Sequence, residues 1–226
     1  MEETAARLDD TVDIPDTAWT LEGFRAWALS RDFPERGRID YLAGSIEVDM
    51  SPEELRTHVL VKTEIGVVLH RLVAHRERGS VYIGGARVSS PAARLSVEPD
   101  VVVVLWDSLD AERIREVPSP RTGEYMELEG VPDLVVEVVS DSSVGKDLRR
   151  LPTLYAVAGV PELWLVDARS RKGIRFDIRT LGAEGYRKVE PDEEGWTFSP
   201  QLGVRFRLRE LEPRPGRRSY RLDHQE

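Results

Sequence analysis

The 226 residues contain no cysteine, which excludes disulfides and thiolate metal sites. Histidine is nearly as scarce, with four in all. His58, His70, His75 and His224 form no ligand-spaced cluster of the zinc kind, so a zinc centre is not expected. No apolar run approaches the roughly 20 residues that cross a bilayer. The opening stretch, Met1 to Asp13, is acidic and lacks the basic-then-apolar order of a secretion signal. A cytoplasmic protein without a membrane segment is therefore expected. A cationic surplus is missing too: the formal net charge is -9, which argues against a general polyanion binder. The sign is uneven along the chain. Acids crowd the start and residues 184–194, whereas Arg205, Arg207, Arg209, Arg214, Arg217, Arg218 and Arg221 make the C-terminal end basic.

With 40% hydrophobic and 32% charged residues, the composition is that of a globular chain with one sizeable core. The expected organisation is a disordered acidic N-terminus over residues 1–16, one folded domain over 17–212, and a basic C-terminal tail over 213–226. Thr20 caps a short helix over 21–29, with Glu22 in its first turn. Residues 38–42 and 45–49 flank Ala43-Gly44 as a hairpin. Ser51, Pro52 and Glu54 read as N-cap, first helical residue and capping-box acid of a helix running to about His75. Its broad apolar face, from Leu55 to Leu72, requires a sheet to cover.

Strand patterns follow at 81–83, 86–88 and 97–106, then a helix over 107–116 and a strand over 124–128. Further along are a core strand at 133–139, a helix over 146–158 closed by Gly159, a buried strand at 162–167, and an edge hairpin of 173–180 with 186–189. This order implies an α/β fold with a mixed central β-sheet flanked by helices.

Two acids stand out against this pattern. Glu137 lies inside Leu134-Val135-Val136-Glu137-Val138-Val139, a run that reads as a strand buried on both faces. An unpaired carboxylate there costs several kcal/mol, so it must be protonated, paired with a base, or facing a cation. Asp100 stands at the mouth of a second such run, residues 101–106. Two carboxylates meeting on adjacent buried strands would suit a hard divalent ion such as Mg²⁺. The bland alternative is a pair of structural acids at strand ends.

The segments Glu98-Pro99-Asp100-Val101-Val102-Val103-Val104, Val131-Pro132-Asp133-Leu134-Val135-Val136-Glu137-Val138-Val139-Ser140 and Tyr155-Ala156-Val157-Ala158-Gly159-Val160-Pro161-Glu162-Leu163-Trp164-Leu165-Val166-Asp167 together resemble the Uma family of restriction-endonuclease-like proteins. The hairpin around Gly44, followed by Met50-Ser51-Pro52 and His58, is similar to that family's N-terminal pattern, and the resemblance covers roughly residues 36–210. It implies a restriction-endonuclease-like core of the PD-(D/E)xK superfamily and metal-dependent hydrolysis of nucleic-acid phosphodiesters. Asp100 and Glu137 are then the metal ligands for Mg²⁺, with Mn²⁺ as the alternative ion. DNA is the expected substrate, and a homodimer is the default assembly, since double-strand cleavage pairs two sites.

The lysine departs from the family pattern. Val139 stands two residues after Glu137, and Leu151 stands where many members carry a lysine one turn before the equivalent of Tyr155. Lys146 is the candidate replacement, because Arg149 and Arg150 hold their protons too tightly to act as bases. His58 is a candidate for orienting water or phosphate. Asp40, Glu47 and Glu64 compete for a third carboxylate, each more readily read as a surface charge. Two other readings remain: a degenerate, non-catalytic member that binds DNA or protein, favoured by the displaced lysine and the acidic charge, and an unrelated hydrolase of small phosphates.

Overall fold

A computed structural model describes residues 12–119 and 122–226. In chain order, α1 (Leu21–Ala28) leads into the hairpin of β1 (Arg38–Leu42) and β2 (Ser45–Asp49), followed by α2 (Leu60–Val73). Then come β3 (Gly79–Ile83), β4 (Arg87–Ser90), β5 (Leu95–Val97), β6 (Val101–Leu105), the short α3 (Trp106–Asp110), β7 (Ile114–Pro118), β8 (Tyr125–Gly130) and β9 (Leu134–Val138). The remainder is α4 (Leu151–Ala158), β10 (Glu162–Asp167), β11 (Arg175–Gly182), β12 (Gly185–Lys188), β13 (Thr197–Ser199), β14 (Val204–Arg214) and β15 (Arg217–Gln225).

Among the described residues the strands form three sheets. The central one runs β12-β11-β10-β9-β6-β3, a second runs β2-β1-β5-β4-β8-β7, and β13-β14-β15 form a third. Within the central sheet β9 and β10 are parallel while β6 runs antiparallel to β9, so the sheet is mixed, as the pattern implied. Strand β9 is buried along its whole length. Leu134, Val136 and Val138 pack with Val61, Ile65 and Leu69 of α2 and with Phe206 and Leu208 of β14. Val135 points the other way, onto Leu151 and Tyr155 of α4. Layers on both faces explain why β9 is a continuous apolar run rather than an alternating one. Each such Val or Leu contributes about 1.5–3 kcal/mol. At Gly66 helix α2 passes close to β3, where a Cβ would lie 2.5 Å from Ile83 Cδ1 and the Ile83 side chain would have to shift.

The hairpin of β1 and β2 has the expected register, Leu42 opposite Ser45, and turns through Ala43 (φ 51°) and Gly44 (φ 101°), the paired positive φ of a tight two-residue loop. Thr20 caps α1 by accepting from Gly23 N–H at 3.1 Å.

Several expectations need correction. No helix opens at Pro52: Ser51 to Glu54 are irregular, and Glu54 is itself the N-cap, accepting from Thr57 N–H ahead of a π-helical turn, Leu55–Val59. The residue expected to close the capping box instead does the capping. The helix expected over 107–116 stops at Asp110, and residues 114–118 form β7 against β8, with Ile114 buried in the core. The expected basic tail is strand β15, paired with β14 along most of its length. Tyr220 and Leu222 on its inner face are buried, Arg217 and Arg221 point outward, and Arg218, half-buried on the inner face, donates to Ala168 O at 2.9 Å. Of the segment expected to be disordered, residues 1–11 lie outside the described residues. Val12 and Ile14, by contrast, pack against Ala18, Phe24, Trp27, Ile39 and Tyr41. No helix among the described residues is long and apolar enough to cross a membrane.

Candidate active site

Strands β6 and β9 bring the two acids together. Val101 faces Val136 and Val103 faces Leu134 across the antiparallel pair, so one residue further Asp100 falls opposite Glu137, on the same side of the sheet. Val138 N–H donates to Asp100 Oδ2 at 2.8 Å, which fixes the Asp100 side chain across the strand gap. Asp100 is 0% exposed and Glu137 2%.

Their pKa values are shifted in opposite directions. Burial pushes Asp100 up, but a hydrogen bond from His58 and the charge of Arg38 overcome it and hold Asp100 well below the usual carboxylate range. Arg38 Nη2 donates to Asp100 Oδ1 at 2.9 Å, and His58 Nε2 is 3.3 Å from Oδ2. Glu137 is raised well above its ordinary value, first by burial and then by the charges of Asp100 and Asp147. It accepts a hydrogen bond from the Tyr155 hydroxyl at 2.5 Å. Burial and like charges thus act on Glu137 in the opposite direction to the bonds and cation that act on Asp100.

Lys146 reaches the same wall from the π-helical turn Lys146–Arg150 that opens α4. Its Nζ bonds Asp40 Oδ2 at 2.8 Å. Burial lowers the Lys146 pKa, but the charge and hydrogen bond of Asp40, and then Glu137, outweigh it and leave it raised. Lys146 is therefore a fixed cation that can orient or neutralise, not a base. Asp40, expected to be a surface charge, is 1% exposed, and its Oδ1 accepts from Glu98 N–H at 3.2 Å. Of its rivals, Glu47 pairs with Arg150 at the edge of a large cleft, and Glu64 accepts from Leu222 N–H. Asp147, next to Lys146, is pushed up to about 6 by burial against a bond from Ser143. Its Oδ1 is buried without a hydrogen-bond partner among the described residues.

On the opposite side, Glu53, His58 and Asp100 each offer an atom within 4.8 Å of the others, a set able to hold a cation. The acids are also matched by fixed cations: Lys62 Nζ lies 3.9 Å from Asp100 Oδ1, and Arg38 is raised by Asp100, Glu137 and Asp40 although burial opposes it. A cleft of ≈ 270 Å³ lined by Arg38, Glu53, His58 and Ser140 opens here. A larger one of ≈ 920 Å³, lined by Glu47, Asp49, Ser142, Lys146 and Arg149, adjoins it through Asp49, Ser51 and Ser142.

Of the four residues singled out from sequence, His58 lines the smaller cleft and Lys146 the larger, whereas Asp100 and Glu137 are buried behind them, linked through the Asp100–His58 contact and the charge of Glu137 on Lys146. Missed were Arg38, Glu53, Lys62, Asp147 and the bond from Tyr155. Two had a readable signal. Arg38 and Asp40 are two apart on one strand and share a face, and His58 and Lys62 are four apart on helical turns. Glu53 sits in irregular backbone and had none.

A mixed sheet flanked by helices, with an acid heading β6 and an acid within its antiparallel neighbour β9, defines an α/β domain. The Uma2 family profile, described as "Putative restriction endonuclease", matches residues 21–211. The chain belongs to that family. Its fold is similar to the crystal structure titled as a "putative nuclease belonging to DUF820" from Anabaena variabilis, with a TM-score of 0.59 and 19% identity over 81% of this chain and 90% of that one. No curated protein matches the chain.

Proposed function

We propose that this chain is a Mg²⁺-dependent endonuclease that hydrolyses nucleic-acid phosphodiester bonds, with DNA as substrate and with Asp100 and Glu137 holding the ion. The observation that carries this reading is the placement of Glu137: a carboxyl group inside an apolar strand, facing the same side as a buried, charged Asp100. Structural acids at strand ends need no such placement, because burying a carboxyl without a cation is costly. The donor set suits Mg²⁺ or Mn²⁺, being oxygen-rich and flanked by His58. When bound, the ion would polarise a phosphoryl oxygen and make a water more acidic.

The chain's own residues do the rest. Asp100, held by Val138 N–H and His58, is a preset charged oxygen pair. Glu137 keeps its place through Tyr155, and a bound cation would oppose the burial and like charges that raise it. Lys146, kept protonated by Asp40, lies where it can orient water or stabilise charge developing on the phosphate. Arg38 balances the acids until a cation arrives. Purified protein incubated with plasmid and single-stranded DNA in Mg²⁺, Mn²⁺ or chelator tests this reading: cleavage that needs the divalent ion supports it, and none under any condition rejects it.

A second reading, a non-catalytic binding module, is favoured by one observation. Leu151, where the family usually carries lysine, is 2% exposed and packed in the core, so that position offers the site no cation. DNA binding without ion-dependent cleavage would select it.

A further inference from the structure

Glu53 lies in the irregular segment between β2 and the Leu55–Val59 turn, with its side chain 42% exposed at the mouth of the smaller cleft. Three nitrogen-bearing side chains meet its carboxylate. Lys62 Nζ bonds both oxygens at 2.6 Å, His58 Nδ1 is 3.6 Å from Oε2, and Arg38 Nη2 is 3.7 Å from Oε1. The same three side chains also face Asp100, at 3.9, 3.3 and 2.9 Å. His58 Nδ1 is buried and has no hydrogen-bond partner among the described residues. A buried donor-acceptor atom left in that state marks a place where a partner is missing.

The three basic side chains stand on regular elements, Arg38 on β1 and His58 and Lys62 on successive helical turns, whereas the anion they surround hangs from irregular backbone. A carboxylate and a phosphodiester both present two negatively charged oxygens about 2.2–2.5 Å apart, and Arg and Lys bind either one. We propose that Arg38, His58 and Lys62 form a phosphate subsite for a nucleic-acid backbone beside Asp100, and that Glu53 fills it in the free protein and withdraws when a strand enters. This inference rests on the nuclease reading for the identity of the strand, but the subsite itself requires only an anion. It assigns Glu53 a role opposed to cation binding.

The test uses the full chain with chelator present and two probes, a short fluorescent DNA oligonucleotide and pyrophosphate, compared between wild type, Glu53→Gln, and Glu53→Gln combined with Lys62→Met. Glu53 is exposed and methionine keeps the apolar stem of the largely buried Lys62, so both changes should leave the fold intact; melting temperatures verify folding. Glu53→Gln is expected to tighten both probes by about fivefold or more. Adding Lys62→Met should remove that gain and lower the salt slope of DNA binding by about 1. Unchanged or weaker binding by Glu53→Gln, or a gain that survives loss of Lys62, overturns the subsite. A parallel cleavage assay with Mg²⁺ separates the two ideas. If Glu53→Gln tightens anions but neither it nor wild type cuts DNA, the nuclease reading falls and the subsite stands. If Glu53→Gln instead abolishes ion-dependent cutting without tightening anions, Glu53 is a cation ligand and the subsite falls.

Discussion

Tyr155 donates its hydroxyl hydrogen to Glu137 across 2.5 Å, joining α4 to the one acid inside β9. Both groups are fully buried in the core between the two layers, and burial, then the Glu137 charge, raises Tyr155 well above its ordinary value, so it remains a donor. Tyr155→Phe removes that donor and leaves the Glu137 carboxyl without it. A loss of about 1–3 kcal/mol is expected, read by urea denaturation in chelator. Unchanged stability would mean the bond does not form in solution.

Glu137→Gln should fold and, without divalent ion, be at least as stable as wild type near neutral pH. Glu137 holds its proton more tightly folded than unfolded, so its contribution to stability falls as pH rises above the ordinary glutamate value of 4.5. The amide does not titrate. The stability difference between variant and wild type should therefore widen in the variant's favour with rising pH, and a difference that stays flat with pH would contradict the raised pKa.

Asp147 gives a bounded window. Its folded value is about 6 against an ordinary 3.8, so stability should decline as pH climbs between those values. Asp147→Asn should gain on the order of 2–3 kcal/mol near neutral pH and nothing below about pH 4. Thermal melts across that range provide the check.

Lys146→Ala strands a buried Asp40, so a stability loss of about 3 kcal/mol is expected along with lost activity. Replacing the pair, Asp40→Asn with Lys146→Met, should restore most of the stability while cleavage remains at least about a hundredfold down. Arg149→Ala, at an exposed residue, should cost far less. Full cleavage by the paired variant would remove Lys146 from the mechanism.

Much of this was legible in the sequence because the physics is local or strongly patterned. The tight Ala43-Gly44 turn fixes its own hairpin, and an acid within a run of valines announces a partner. What was not legible depends on distant chain segments meeting. Asp40 looks like a strand-edge surface acid until Lys146, 106 residues away, reaches it. Residues 114–118 carry enough charge to suggest helix, yet pairing with β8 and burial of Ile114 make them a strand. The C-terminal arginines suggest a solvated end by charge alone, whereas the period-two spacing of Tyr220 and Leu222 is the strand signal in the same segment.

Cleavage of supercoiled plasmid by wild type, Asp100→Asn and Glu137→Gln, each first shown to be folded, tests the central claim most directly when run in Mg²⁺, Mn²⁺ and chelator. Wild type is expected to cut only with the ion, and each variant to lose at least about a hundredfold in rate. Cutting by folded Glu137→Gln at the wild-type rate, or wild-type cutting that persists in chelator, would contradict it.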